Sequence, residues 1–193
     1  MEKGQLRLDL QKRLLAISQK QKIEKSKNIC KNLISTLEFQ KASVIMMYLS
    51  LSTEADTSDA ILASWQLGKT VVVPKVSWEQ RHMIPVVINS LEMGFSTEVG
   101  GIRNPQTGAP MPFEEIDLVV TPGLGFDKNG NRIGRGGGYF DRFFANKELR
   151  ATKCGFAFDE QRVDSVPVTA SDQKIDILVT DKDIIYFNKD KEL

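Results

Sequence analysis

The runs SVIMMYL (43–49), TVVV (70–73), DLVVT (117–121) and KCGFAF (153–158) constrain this chain more than any other feature. Each is short and apolar, and none alternates between polar and apolar positions. A strand with one wet face alternates, whereas a strand buried on both faces does not, and the latter is the habit of parallel strands covered by helices. The segments between them carry a helical period. Leu6, Leu10, Leu14 and Ile17 predict an amphipathic helix over Lys3 to Ile17. Ser18 to Gln21 offers a capping box for a second helix running to Leu37. Ile61, Leu62 and Trp65 mark a helix over 57–67 that stops at Gly68. Pro74 is expected to end the strand at 70–73, and Pro85 to push a strand at 83–88 to a sheet edge. Two more strands are expected at 177–180 and 184–187, and 94–112, rich in Gly, Pro, Ser, Thr and Asn, reads as an irregular surface excursion. The alternation of strand and helix predicts a single domain over 1–193, a three-layer α/β/α sandwich with a largely parallel, Rossmann-like sheet.

Composition narrows the classes of function. A net charge of +1 gives no whole-molecule attraction to nucleic acid or to an anionic membrane, so any anion site must be a local cluster. No window approaches the roughly 20 apolar residues needed to span a bilayer. The N-terminal segment is charged and lacks the apolar core of a secretory signal, and Glu2 and Asp9 argue against a transit peptide. Cys30 and Cys154 are far apart and outside any CxxC pair, which suits reduced structural thiols in a cytoplasmic protein.

The chemistry is expected in Thr121 to Asp141, TPGLGFDKNGNRIGRGGGYFD, which follows a predicted strand. Ligands in such folds bind beyond the carboxyl ends of strands. Gly134, Gly136, Gly137 and Gly138 leave the backbone N–H groups open to an anion, and they lead into a helix expected to begin near Gly136. Arg132 and Arg135 add two permanent cations, and the combination reads as a phosphate site. It is neither a P-loop nor a GxGxxG fingerprint. ASWQLGKT (63–70) has a P-loop outline with Ala for the first Gly, but it ends a helix where a P-loop would open one.

The run PGLGFDKNGNRIGRGGGYFDRF (122–143) resembles the signature of the 5-formyltetrahydrofolate cyclo-ligases, PGLGFD followed by R-x-G-R-G-x-G-Y-Y-D. The likeness extends almost end to end: Lys3 to Arg7, LSLSTEADT (49–57), Val73-Pro74-Lys75, Gly101 to Pro105, and the tail from Val166-Pro167 through Asp172 to Asp176 all match family elements. The resemblance implies an ATP- and Mg²⁺-dependent enzyme that converts 5-formyltetrahydrofolate to 5,10-methenyltetrahydrofolate with release of ADP and phosphate. It places Lys3, Arg7, Arg132, Gly134, Arg135, Gly136, Gly137, Gly138, Tyr139 and Phe140 at ATP, with Arg135 and Arg132 as the catalytic cations. Asp141 and Asp172 match the carboxylates near magnesium, and Leu49, Glu54 and Tyr139 match the folate contacts.

Without the resemblance, Lys3 and Arg7 read as a solvated basic helix face, Asp141 as a salt-bridge partner, and Glu54 with Asp56 as charges complementing a following helix. Phe140 replaces a frequent second Tyr, Asn104 a frequent Glu, and Gly100 a frequent aromatic, leaving Phe95 as the candidate to pack on the folate. A sugar-phosphate isomerase, an acyl-CoA transferase or a phosphometabolite sensor are the alternatives that fold class alone leaves open. The expected partners are small molecules, in a monomer or weak homodimer.

Overall fold

The computed structural model describes residues 2–187. Helix α1 (Lys3–Ala16) buries Leu6, Leu10 and Leu14 on one stripe. Ser18 then caps α2 (Gln19–Ser35) in the expected box: Gln21 N–H donates to Ser18 Oγ at 3.3 Å, and Ser18 N–H to Gln21 Oε1 at 3.0 Å. The second helix stops earlier than predicted because Thr36 is extended and accepts from Phe39 N–H at 3.2 Å, which starts a new helix, α3 (Leu37–Lys41).

Strand β1 (Val44–Met47) and helix α4 (Ser58–Gln66) fall where the pattern put them. Gly68 ends α4 with φ +72°, and Lys69 donates to the carbonyls of Gln40 and Ala42, so the P-loop look-alike is a helix cap. Strand β2 (Thr70–Ser77) does not end at Pro74, as the sequence suggested. It pairs antiparallel with β3 (His82–Val87), and the register sets Pro74 opposite Pro85. Neither proline has an N–H to offer at a position that needs one, since β1 runs beside β2 only at Thr70 to Val72. Strand β3 is the sheet edge, as Pro85 implied. The excursion after it is not irregular: β4 (Phe95–Thr97) and β5 (Arg103–Pro105) form a hairpin. Buried Asn104 docks it, accepting from Val76 N–H at 2.9 Å and donating to Val76 C=O at 3.0 Å. A side-chain amide thus substitutes for a ladder pair on the free side of β2.

Strand β6 (Leu118–Thr121) leads into the Gly-rich segment, which contains β7 (Gly125–Asp127), β8 (Arg132–Ile133) and, after them, helix α5 (Tyr139–Phe144). Strands β9 (Thr152–Phe156), β10 (Arg162–Val163), β11 (Ile177–Val179) and β12 (Ile184–Tyr186) complete the order. The main sheet runs β12-β11-β9-β6-β1-β2-β3; its central five strands are parallel and each edge strand is antiparallel. A small sheet, β10-β7-β8, stands beside it.

Successive strand residues point to opposite faces. Ile45, Met47, Val71, Leu118 and Val120 join the core of the α1, α2 and α4 face, with Leu10, Ile29, Leu33 and Ile61. Met46, Val72 and Val119 pack on the other face against Phe143 and Phe144 of α5 and Ile116. Both faces are covered, which explains the absence of polar alternation, but the layers are unequal: α5 has six residues, and the small sheet supplies Phe126 to the rest of that face. Cys30 and Cys154 are buried free thiols; burial pushes Cys30 up to about 12 and Cys154 higher still, so both are inert fillers. No helix among the described residues is long and apolar enough to cross a membrane.

Candidate active site

Neighbouring strands β1 and β6 send the chain to opposite faces. The loop after β1 leads to α4, on the α1/α2 face, and the loop after β6 leads onward to α5, on the other. Divergence of this kind leaves a crevice outside the carboxyl ends of the strands. Here it is a cavity of about 830 Å³. Lys3, Arg7, Leu49, Glu54, Arg132, Gly134, Arg135, Gly136, Gly137, Gly138, Tyr139, Phe140, Asp141 and Asp172, every candidate site residue from the sequence, are on its wall.

The β1 loop separates two carboxylates that the sequence could not tell apart. Asp56 Oδ1 accepts from Ser50 Oγ and from the N–H and hydroxyl of Ser58, so Asp56 organises the loop and the start of α4. Burial raises the Asp56 carboxyl, but these hydrogen bonds outweigh it and hold the group below its ordinary range. Glu54 faces the cleft instead. Its Oε2 accepts from Leu51 N–H at 3.0 Å, and its side chain is 12% exposed.

Across the cleft, Gly136 (φ +109°) and Gly138 (φ +64°) hold backbone conformations that strain any L side chain, and Gly134 to Gly137 are exposed. Helix α5 starts at Tyr139, later than expected, and with six residues its dipole contributes little. The cations therefore supply most of the positive potential. Arg7 Nε donates to Gly134 C=O at 2.9 Å, and Lys3 Nζ to Asp172 Oδ2, so the basic face of α1 is turned into the cleft rather than to bulk water. Arg135, with a side chain 44% exposed, donates from Nε to Glu54 Oε1 at 3.3 Å and from Nη2 to Thr53 Oγ1 at 2.9 Å. The cation assigned to phosphate and the carboxylate assigned to the pterin are in contact.

Arg132, read from the sequence as a second phosphate cation, is buried in the cleft wall. It is 7% exposed, and its Nη1 donates to Asp141 Oδ1 at 2.9 Å and to Gln173 C=O at 2.7 Å, with the guanidinium over the Phe144 ring at 5.1 Å. Burial lowers its pKa and Asp141 offsets part of that. Its first task is to lock α5 to the 169–173 segment, with its charge in the cleft wall. Asp141 Oδ1 also accepts from Gln173 N–H at 3.0 Å. Asp172 Oδ2 accepts from Lys3 and from the N–H and hydroxyl of Thr169; burial raises this carboxyl too, and the donors outweigh it. On both aspartates the described hydrogen bonds fall on one oxygen. Among the described residues no three His, Cys, Asp or Glu side chains gather, so a cation here would draw further oxygens from phosphate and water. That donor set fits Mg²⁺, which commonly takes one or two carboxylates beside substrate phosphates.

The Asn104 departure is accounted for by the hairpin, but Phe95 does not do what was expected of it. It packs against the core under the Arg103 guanidinium, 5.6 Å away, and is not on the cleft wall. The aromatic missed in the sequence is Trp78, which lines the cleft from the β2–β3 turn and meets Tyr139 edge-on at 5.7 Å. Arg142 was missed as well: it donates to Arg81 C=O at 2.6 Å and Gly137 C=O at 2.8 Å, tying the glycine loop to that same turn. Neither has a local sequence signal for this role, because Trp78 meets Tyr139 and Arg142 reaches Arg81 only once distant stretches of the chain are folded together.

The 5-formyltetrahydrofolate cyclo-ligase family matches residues 1–181. This chain belongs to that family. Among its relatives are the 5-formyltetrahydrofolate cyclo-ligases of Mus musculus, 31% identical over 181 residues and 89% of each chain, and Haemophilus influenzae, 26% identical over 92% of this chain and 97% of the other. The NMR structure of 5,10-methenyltetrahydrofolate synthetase from Aquifex aeolicus superposes with a TM-score of 0.85 at 27% identity, covering 100% of this chain and 96% of that one. For this cyclo-ligase family member, the isomerase, transferase and sensor alternatives fall away.

Proposed function

We propose that the chain converts 5-formyltetrahydrofolate to 5,10-methenyltetrahydrofolate, using ATP and Mg²⁺ and releasing ADP and phosphate. The observation that carries this reading is the single cleft lined by two unlike sets of residues. One set is Lys3, Arg7, Arg132, Arg135 and the exposed glycines; the other is Glu54 with Leu49, Pro74, Ile102 and Trp78. The first suits a polyphosphate, and the second suits a flat heterocycle with N–H groups for a carboxylate to accept. They meet at Arg135 and Glu54, where the transferred group must pass from one ligand to the other.

An amide-like formyl oxygen is a poor leaving group. Its attack on the γ-phosphorus, with ADP departing, makes it a good one; N10 then attacks the formyl carbon, and phosphate leaves with the oxygen while the N10 proton is lost to it or to water. The chain supplies orientation and charge for both steps. Glu54 holds the pterin by its amino and ring N–H groups, with Leu49 and Tyr139 packed beside it. Arg135 turns from Glu54 to the transferred phosphoryl group as both ligands enter, and Lys3, Arg7 and the N–H groups of 134–138 hold the rest of the chain of phosphates. Arg132 keeps Asp141 aimed into the cleft. Asp141 and Asp172 would hold Mg²⁺, which when bound neutralises phosphate charge. The two buried thiols suit the reducing cytoplasm, and we propose a monomer or weak homodimer.

The test is absorbance at the methenyl-folate band with purified protein, 5-formyltetrahydrofolate, ATP and Mg²⁺. Product must require both ATP and a divalent metal. Product without ATP, or none with all components, overturns the proposal.

A further inference from the structure

Arg142 is exposed on α5, next in the chain to Asp141, yet its guanidinium goes to backbone carbonyls rather than to an acid. Nε donates to Arg81 C=O at 2.6 Å and Nη2 to Gly137 C=O at 2.8 Å, with the Tyr139 ring 5.0 Å away. Tyr139 in turn meets Trp78 of the β2–β3 turn edge-on. Arg81, in the same turn, has φ +53° and is the one non-glycine residue in the left-handed region among the described residues. A backbone bent that way persists where its surroundings hold it.

The main chain of Arg142 holds the next carbonyl: its N–H donates to Gly138 C=O at 3.1 Å. One residue therefore fixes two successive peptide planes, 137–138 by its side chain and 138–139 by its backbone. A trans peptide carries its C=O and its N–H on opposite sides, and no peptide among the described residues is cis. Fixing the carbonyls of Gly137 and Gly138 thus fixes the directions of the Gly138 and Tyr139 N–H groups. Neither N–H has an acceptor among the described residues, and both residues are on the cleft wall. The sequence shows why an outside hold is needed. Gly136, Gly137 and Gly138 in a row would otherwise sample many backbone states. The other end of the loop is held in the same manner, by Arg7 on Gly134 C=O.

We infer that Arg142 is the positioning residue of the phosphate loop: its guanidinium bridges the β2–β3 turn and Gly137, and so orders the N–H groups that receive the polyphosphate. The inference rests on the cyclo-ligase reading, which puts ATP on this loop. Arg142 acts through the loop and not by its charge. A guanidinium is a planar fork that bridges two carbonyls at fixed spacing, whereas a lysine ammonium is a point charge on a flexible stem. What the fork removes is a conformational cost, since a loop ordered before the nucleotide arrives has little backbone entropy left to lose.

The test uses calorimetry and ¹⁵N relaxation on wild type, Arg142→Met and Arg142→Lys. The titrants are the β,γ-imido analogue of ATP with Mg²⁺ and, separately, 5-formyltetrahydrofolate, so turnover is not needed. Arg142→Met keeps an apolar stem beside the Tyr139 ring and loses both prongs. It should weaken analogue binding about tenfold, the factor expected when one residue's backbone has to be ordered on binding, and leave folate affinity within about threefold. In the free protein the amide order parameters of Gly137 and Gly138 should fall from the rigid range, about 0.85, to below about 0.6, and recover when the analogue binds. Arg142→Lys should resemble Arg142→Met. Analogue affinity or order parameters unchanged in Arg142→Met overturn the inference, as does wild-type affinity in Arg142→Lys, which would make Arg142 a charge contact. Both ligands weakened together with a lowered Tm would make it a general structural tie and overturn it too. In each of these cases the ligase reading stands. Wild type that binds neither ligand and forms no methenyl product overturns that reading, and the inference with it.

Discussion

Replacing Glu54 by Gln separates a folate contact from a structural one. In the free protein Glu54 Oε2 accepts from Leu51 N–H, and a glutamine carbonyl keeps that bond. Its Oε1 faces Arg135 Nε at 3.3 Å, and an amide NH₂ there sets donor against donor. That pair is long and its arginine is 44% exposed, so its loss should cost no more than about 1 kcal/mol of stability. The cost to folate is larger. A pterin offering two donors would find one acceptor and one opposing donor in a largely dry site, about 1–3 kcal/mol, or roughly five- to 150-fold in kcat/KM for the folate. The KM for ATP should stay within about twofold, since Arg135 is freed rather than removed. Steady-state kinetics with each substrate varied in turn, beside a thermal melt, gives the answer. A lowered Tm with wild-type folate kinetics would refute the reasoning and leave Glu54 as a loop residue only.

Arg135→Ala should lower turnover at least about tenfold, because a donor to developing phosphoryl charge is typically worth ~2.7–4 kcal/mol of barrier; an exposed loop arginine should leave the Tm almost unchanged, and normal turnover would exclude it from the phosphate site. Asp127→Asn should destabilise by about 1–3 kcal/mol: its carboxylate accepts from the N–H groups of Asn129, Asn131 and Val166 and from the Asn131 amide, and urea unfolding within error of wild type would contradict this. Asp172 gives a pH dependence. Burial raises its carboxyl, but hydrogen bonds from Lys3 and Thr169 outweigh that and hold it below the ordinary 3.8. A depressed folded pKa adds stability above the unfolded value and loses it as pH falls through the folded one. Wild type should therefore lose more stability than Asp172→Asn from about pH 4 downward, and parallel acid melts of the two would show the assignment wrong.

What the sequence discloses depends on how local the cause is. Buried parallel strands announce themselves as unbroken apolar runs: β1 and β6 lie within the runs that predicted them, and β9 starts one residue before its run and ends two short of it. Strands of two or three residues, such as β8 and β10, carry too few positions for any period to register. The β4–β5 hairpin is invisible in its own Gly- and Pro-rich segment because its docking bond goes to Val76. The same divide runs through the site. Gly134 to Asp141 is a contiguous signature, so its members were found together; Trp78 and Arg142 matter through neighbours that only folding provides.

The two contacts that turn α1 into the cleft span most of the chain: Lys3 to Asp172 across 169 positions, and Arg7 to Gly134 across 127. Glu2 provides no side-chain cap, so the first turn of α1 has those distant partners as its side-chain anchors. Bonds of that separation close the largest loops and form late. The cleft therefore depends on contacts drawn from both ends of the chain, and a chain cut before Asp172 loses the Lys3 anchor. Regain of nucleotide binding should lag behind regain of secondary structure during refolding, and cleavage between β10 and β11 should silence the enzyme while much of its sheet persists.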